Sequence, residues 1–213
     1  MSRDLAKKKD IKGRKRMMNE EYAPQLNDDI GIEQIQKTSL RGAGHFLFTY
    51  PVNYMTVRPV AEWILAENLQ EEKREFLHLF INSPGGNVVD SFFLTDVMAG
   101  SSIPIYTTGI GQIASCGLLI FMAGQKGHRI ITPNSAILSH QFSAGMIGKQ
   151  HELLASTKRF EQVGERIMAH YRKHTKLPVA KIKKELMPAE DRWLTPKEAV
   201  EFNLADKIKK LGK

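Results

Sequence analysis

A serine flanked by small residues stands in the run Gly111-Gln-Ile-Ala-Ser115-Cys-Gly117. The run joins a strand-like stretch to an apolar one, which puts Ser115 at a strand–turn–helix junction. Helix N-termini present unpaired backbone N–H groups and the positive end of a dipole, so a nucleophile there has anion-stabilising donors beside it. The position suits a plain N-cap serine equally well, worth about 1 kcal/mol to a helix. The run is not the Gly-x-Ser-x-Gly elbow of other hydrolases. A second candidate is Asn82-Ser-Pro-Gly85-Gly86. Paired glycines after a buried strand let a ligand approach the backbone and leave an N–H pointing outward, although a simple strand-ending turn has the same composition. The third is His140, directly after an apolar strand, where an imidazole is either structural or a general base. A hydroxyl is a poor nucleophile without a neighbouring base, so Ser115 and His140 acquire a joint meaning only if the fold brings them together.

The elements that must do so alternate in α/β fashion from about residue 44. Strands are expected at 45–50, 76–81, 103–108, 128–131, 136–139, 191–194 and 205–208. Helices are expected at 57–69, 88–98, 114–123, 149–173, 178–186 and 196–202. Val60, Trp63, Ile64 and Leu69 mark the inner face of the first helix. Leu153, Leu154, Phe160, Val163, Ile167 and Met168 mark one side of the long one. Residues 109–111 read as a turn because of their glycines. Strand–helix alternation implies parallel sheet with crossover helices, in one domain.

Composition narrows the function. The 213 residues are 42% apolar and 25% charged, which excludes extended disorder and collagen. One cysteine excludes an internal disulfide and a Cys-rich zinc site. No apolar run reaches the roughly 18–20 residues of a membrane span, and no apolar signal region opens the chain, so a soluble intracellular protein is expected. The net charge of +8 is concentrated. Residues 1–16 hold eight basic and two acidic groups, a net of +6, which leaves +2 for the remainder. Residues 1–30 therefore read as a basic arm: solvated chain, a removable pro-segment or a docking arm, with nucleic acid an unlikely partner. Met17 or Met18 could mark an alternative start. Residues 31–213 read as the catalytic domain. Two decoys fail. His151-Glu152 lacks the second histidine of a zinc helix, because position 155 is Ala. Ser143 and Gln150 occupy positions where a phosphate loop around Gly148-Lys149 needs Gly and Ser/Thr.

Taken together, Asn82-Ser-Pro-Gly-Gly86, the Gly111–Gly117 run 25 residues beyond it, Pro133-Asn-Ser135 with His140-Gln141, and the stretch 191–206 closely resemble the proteolytic subunit of Clp protease. The resemblance covers about residues 44–210. It implies an α/β fold of the crotonase-like type, a β-β-α spiral with a protruding strand–helix handle built on the 149–173 helix. It implies a serine endopeptidase with Ser115 as nucleophile, His140 as general base and Asp191 as the acid that orients the imidazole. Backbone N–H groups of Gly86 and Cys116 would form the oxyanion hole. An extended substrate would lie between Gly86, Asn87, Val88 and Ser143, Ala144, Gly145. The side chain of Cys116 would point away from the site as a packing residue. The resemblance implies no metal and no cofactor in this chain, with ATP used only by a partner unfoldase of the Clp AAA+ type. It implies a homo-oligomer of two stacked heptameric rings, protein and peptide substrates, no membrane, and a cytoplasmic or organelle stroma or matrix location.

The resemblance thins at both ends. The stretch 30–44 is short where relatives place an axial loop, which favours, as an alternative, a specialised viral or organelle processing protease without an ATPase; a shifted Asp191 would favour a non-catalytic structural subunit, against which Ser115 and His140 argue. An acyl-CoA enzyme on the same superfamily fold would leave Ser115 and His140 without a joint role. Residues 186–190 run about two residues long, so Glu190 and Asp206 are alternatives for the acid. Asn203 replaces an expected glycine but tolerates a left-handed backbone.

Overall fold

The computed structural model describes residues 40–212. The basic arm and the alternative start fall outside the described residues. From residue 43 onward the chain builds one seven-stranded sheet with helices packed on it. Strands β1 (His45–Phe48), β2 (Leu77–Ser83), β3 (Ile105–Ala114), β4 (Arg129–Ile131) and β7 (Lys207–Ile208) lie side by side in that order, all parallel. Strand β5 (Ala136–Ser139) pairs with the far end of β3, and β6 (Arg192–Leu194) pairs antiparallel to β5.

The expected turn at 109–111 does not exist: β3 runs straight through it. Its first half pairs with β4 and its second half with β5, so the strand must bend between them. Gly111 takes φ +67 at that bend. Asn82 Oδ1 accepts the Gln112 N–H at 3.1 Å, where the register with β2 shifts. The glycines thus permit a bulge inside a strand rather than ending it.

Helix α1 (Tyr54–Asn68) starts three residues earlier than the apolar periodicity suggests. A capping box explains the difference: Asn53 Oδ1 accepts the Thr56 N–H, and Thr56 Oγ1 accepts the Asn53 N–H. Val60, Trp63 and Ile64 are buried as expected, but Leu69 lies at the exposed C-cap. Helices α2 (Val88–Gly100) and α3 (Cys116–Met122) follow, and every residue of α3 is buried. Gly117 lets α3 sit on β2, since a Cβ there would come 3.0 Å from Ser83 Cβ.

Helix α4 (Gln150–Thr175) is anchored only by its second half. Val163, Ile167 and Tyr171, four residues apart, face the core, whereas Leu153 and Leu154 are exposed. The helix half of the handle therefore projects from the body. The preceding strand, β5, forms as expected, and residues 140–149 between it and the helix carry no sheet pairing. A strand needs a ladder partner, and none of the described residues supplies one. Helix α5 (Val179–Lys181) runs into a π-helical turn at Ile182–Leu186, and α6 (Pro196–Glu201) is capped by Thr195. Asn203 takes φ +57, the left-handed backbone anticipated for it.

Candidate active site

Three neighbouring strand ends converge on one point. The register of β5 and β6 runs Ile137 to Leu194, Leu138 to Trp193 and Ser139 to Arg192. One step further places His140 opposite Asp191. On the other side of β5, Ala114 pairs with Leu138, and the Ser115 N–H donates to the Leu138 carbonyl at 3.0 Å. Sheet geometry alone therefore brings Ser115, His140 and Asp191 together. Ser115 Oγ lies 2.8 Å from His140 Nε2, and His140 Nδ1 lies 3.2 Å from an Asp191 oxygen. The hydroxyl makes no helix-capping bond, although Ser115 occupies the N-cap position of α3. Its backbone sits at φ +54, ψ −122, which costs a non-glycine residue about 1–3 kcal/mol. The N-cap explanation of this serine thus fails: its backbone is strained and its hydroxyl faces an imidazole.

The glycine pair is fixed from both sides. Val52 bridges this segment by donating to the Gly85 carbonyl and accepting from the Asn87 N–H. This pairing leaves the polar groups of Gly86 on the opposite edge, where its carbonyl accepts the Cys116 thiol at 3.1 Å. The Gly86 N–H shares that edge. Only glycine fits: a Cβ on Gly86 would lie 2.2 Å from the Val52 carbonyl oxygen, and one on Gly85 would lie 2.6 Å from Ser115 Cβ. The Cys116 N–H, first in α3, belongs to the orphan donors of a helix start. Cys116 is buried, but its side chain does not point away from the site as expected: it lines the small cavity beside Ser115 and His140. Burial pushes its thiol upward, so it does not compete as a nucleophile.

One of the two alternatives for the acid is committed to other partners. Asp206 is bound elsewhere: it accepts from Gly127 N–H, Arg129 N–H and the Arg129 guanidinium, and lies 3.3 Å from Lys126. Burial alone would raise its carboxyl, but the Arg129 hydrogen bonds outweigh that and hold it below the usual carboxylate range. Asp191 meets His140 despite the longer preceding loop, because the loop is pinned. Gln141 Nε2 donates to the Met187 and Pro188 carbonyls at 3.1 and 3.2 Å. Ser139 Oγ donates to the Leu186 carbonyl and meets the Tyr171 hydroxyl at 2.7 Å. Tyr171, raised to about 12 by burial, stays a neutral phenol. Neither Gln141 nor Tyr171 stood out in the sequence as a support, although Tyr171 continues the Val163–Ile167 spacing.

Five of the six residues expected along the substrate, all but Gly86, border one cavity. Asn87 and Val88 line one cavity of about 260 Å³ together with Ser143, Ala144 and Gly145. The small cavity beside Ser115 and His140 measures about 20 Å³. Among the described residues, no cluster of His, Cys, Asp or Glu could hold a metal, and no helix is long and apolar enough to cross a membrane.

Residues 34–211 match the family model for Clp protease. The ATP-dependent Clp protease proteolytic subunit of Deinococcus radiodurans is 31% identical over 158 residues, covering 74% of this chain and 76% of that protein. The mixed α/β body is that family's fold, and this chain belongs to the Clp protease family.

Proposed function

We propose that this chain is a serine endopeptidase subunit that cuts unfolded proteins or short peptides inside a ring-shaped chamber. The reading rests above all on the line of contacts from Ser115 Oγ to His140 Nε2 and from His140 Nδ1 to Asp191. His140 accepts the Ser115 proton as Oγ attacks the scissile carbonyl, and Asp191 holds the imidazole in the tautomer that leaves Nε2 free. The oxyanion of the tetrahedral intermediate accepts from the Gly86 and Cys116 N–H groups, each worth about 3–4 kcal/mol in the transition state. His140 then protonates the leaving amine. An acyl-enzyme on Ser115 remains, and water activated by His140 hydrolyses it.

The peptide lies extended between residues 86–88 and 143–145, held by main-chain pairing that is tolerant of sequence. Two heptameric rings pair through the projecting half of α4, and the unpaired stretch before it completes a strand there. The Deinococcus relative is named ATP-dependent, which supports a Clp-type unfoldase as partner; the proposed setting is cytoplasmic or an organelle stroma or matrix.

Labelling with a fluorophosphonate, read alongside native mass, tests the proposal. The wild-type assembly takes up one label per chain, and Ser115→Ala keeps the assembly but loses the label. Equal labelling of Ser115→Ala would remove Ser115 as nucleophile.

A further inference from the structure

We propose that Arg159 gives this peptidase a preference for an acidic side chain at the third substrate residue on the acyl side of the cut, an inference that rests on the peptidase reading above. His140 protonates the leaving amine, so the amine side of the peptide lies at His140. The acyl side then runs the other way, along residues 87–89 and 143–146. Successive side chains of an extended peptide point to opposite faces, so the first and third residues before the cut face the same side, about 6.8 Å apart. That side is α4. Ile167 of α4 borders the small cavity beside Ser115, and the cavity of about 260 Å³ continues toward the start of the helix, bordered by Val163, Phe160, Arg159 and Ser156. Val88 and Phe142 border both cavities, so the two adjoin. A rise of about 1.5 Å per residue puts Arg159 about 12 Å before Ile167 along the helix. A glutamate on the third residue and the long arginine side chain close the remaining gap of about 5 Å between them.

Arg159 is the one charged side chain around the larger cavity; its other walls are neutral. The arginine is also unengaged. Its neighbours three and four positions away on the helix are Ala155, Ser156, Gln162 and Val163, none of them acidic. Arg58, Arg74, Arg129 and Arg192 each meet a carboxylate at 2.7–2.8 Å, whereas Arg159 has no ion-pair partner among the described residues. A substrate carboxylate supplies that partner, and the planar guanidinium can take it with two parallel hydrogen bonds. A lysine at the same substrate position meets a like charge instead. Arg159 is exposed in the single chain, so the preference is a matter of a few-fold rather than of orders of magnitude.

The test uses internally quenched peptides that differ only at that third residue, Glu, Gln or Lys, with product masses fixing the bond that is cut. The wild-type assembly cleaves the Glu peptide with a kcat/KM about threefold or more above the Gln peptide and about tenfold or more above the Lys peptide. Arg159→Glu, with native mass confirming the assembly, reverses the order and favours Lys over Glu. Two readouts need no variant. Raising the salt from about 0.05 M to about 0.5 M shrinks the wild-type ratio of Glu to Lys by about half or more, because an exposed pair is screened. Peptide boronates of the same series, competing with the fluorophosphonate label, follow the same order without turnover. Equal handling of Glu and Lys by the wild type, or an order that survives Arg159→Glu, would overturn the inference while leaving the peptidase reading intact. Absence of both peptide cleavage and fluorophosphonate labelling would overturn the peptidase reading and this inference with it.

Discussion

Replacing Asp191 by asparagine removes a charge while keeping the side chain's shape. The size of the loss can be worked from the geometry. Asp191 lies 3.2 Å from His140 Nδ1, but its side chain is 61% exposed in the single chain. Unit charges at that distance attract by about 1 kcal/mol in water-like surroundings and about 5 kcal/mol at an effective dielectric of about 20. An acid this open to solvent belongs near the lower limit, about 1–3 kcal/mol of imidazolium stabilisation. At about 1.4 kcal/mol per tenfold, Asp191→Asn then lowers kcat by about five- to 150-fold, with KM little changed. This is well short of the roughly 10⁴-fold loss seen where the acid of such a triad is buried. The assay is steady-state hydrolysis of a short fluorogenic peptide, with native mass confirming an unchanged assembly. Undiminished kcat would remove Asp191 from the mechanism. A loss near 10⁴-fold would refute the solvent-screening argument and require the assembly to bury the acid.

Other perturbations have equally definite outcomes. Gly86→Ala drives a methyl into the Val52 carbonyl, so kcat falls about 100-fold or more by peptide assay as an oxyanion donor shifts. Asp206→Ala strands Arg129, which is only 1% exposed, and lowers stability by about 3–5 kcal/mol, read as a Tm drop of about 10 °C or more. His170 is lowered to about 4 by burial while its ring contacts the Leu119 carbonyl at 2.9 Å. The unfolded chain therefore binds the extra proton first, and stability present above about pH 6.5 is lost as pH falls toward 4, by up to about 3 kcal/mol. Denaturant titrations at pH 7.5 and 4.5 should show a smaller difference for His170→Gln than for the wild type.

Most of the site was legible because its signals are local. A serine between small residues, a paired glycine after a buried strand and a histidine at a strand end each leave a mark within a few positions. The acid left a weaker mark, because Asp191 is placed by antiparallel register between β5 and β6, a relation that local spacing does not encode. For the same reason Asp206 passed as an alternative: its partner Arg129 stands 77 positions away. The glycines at 109 and 111 misled because turn and bulge use the same residue type, and only the split pairing of β3 distinguishes them. Periodicity overstated the inner face of α4, since Leu153 and Leu154 continue an apolar pattern that the body does not cover.

The pairing of β5 with β6 also sets an order of events. Ser115 and His140 are in hand once β3 and β5 have paired, but Asp191 arrives only when the last segment of the chain folds back along β5. A chain still being synthesised, or cut before residue 191, holds a nucleophile and a base without the acid. On the proposed peptidase reading, the contact from His140 to Asp191 is absent until β6 has paired with β5.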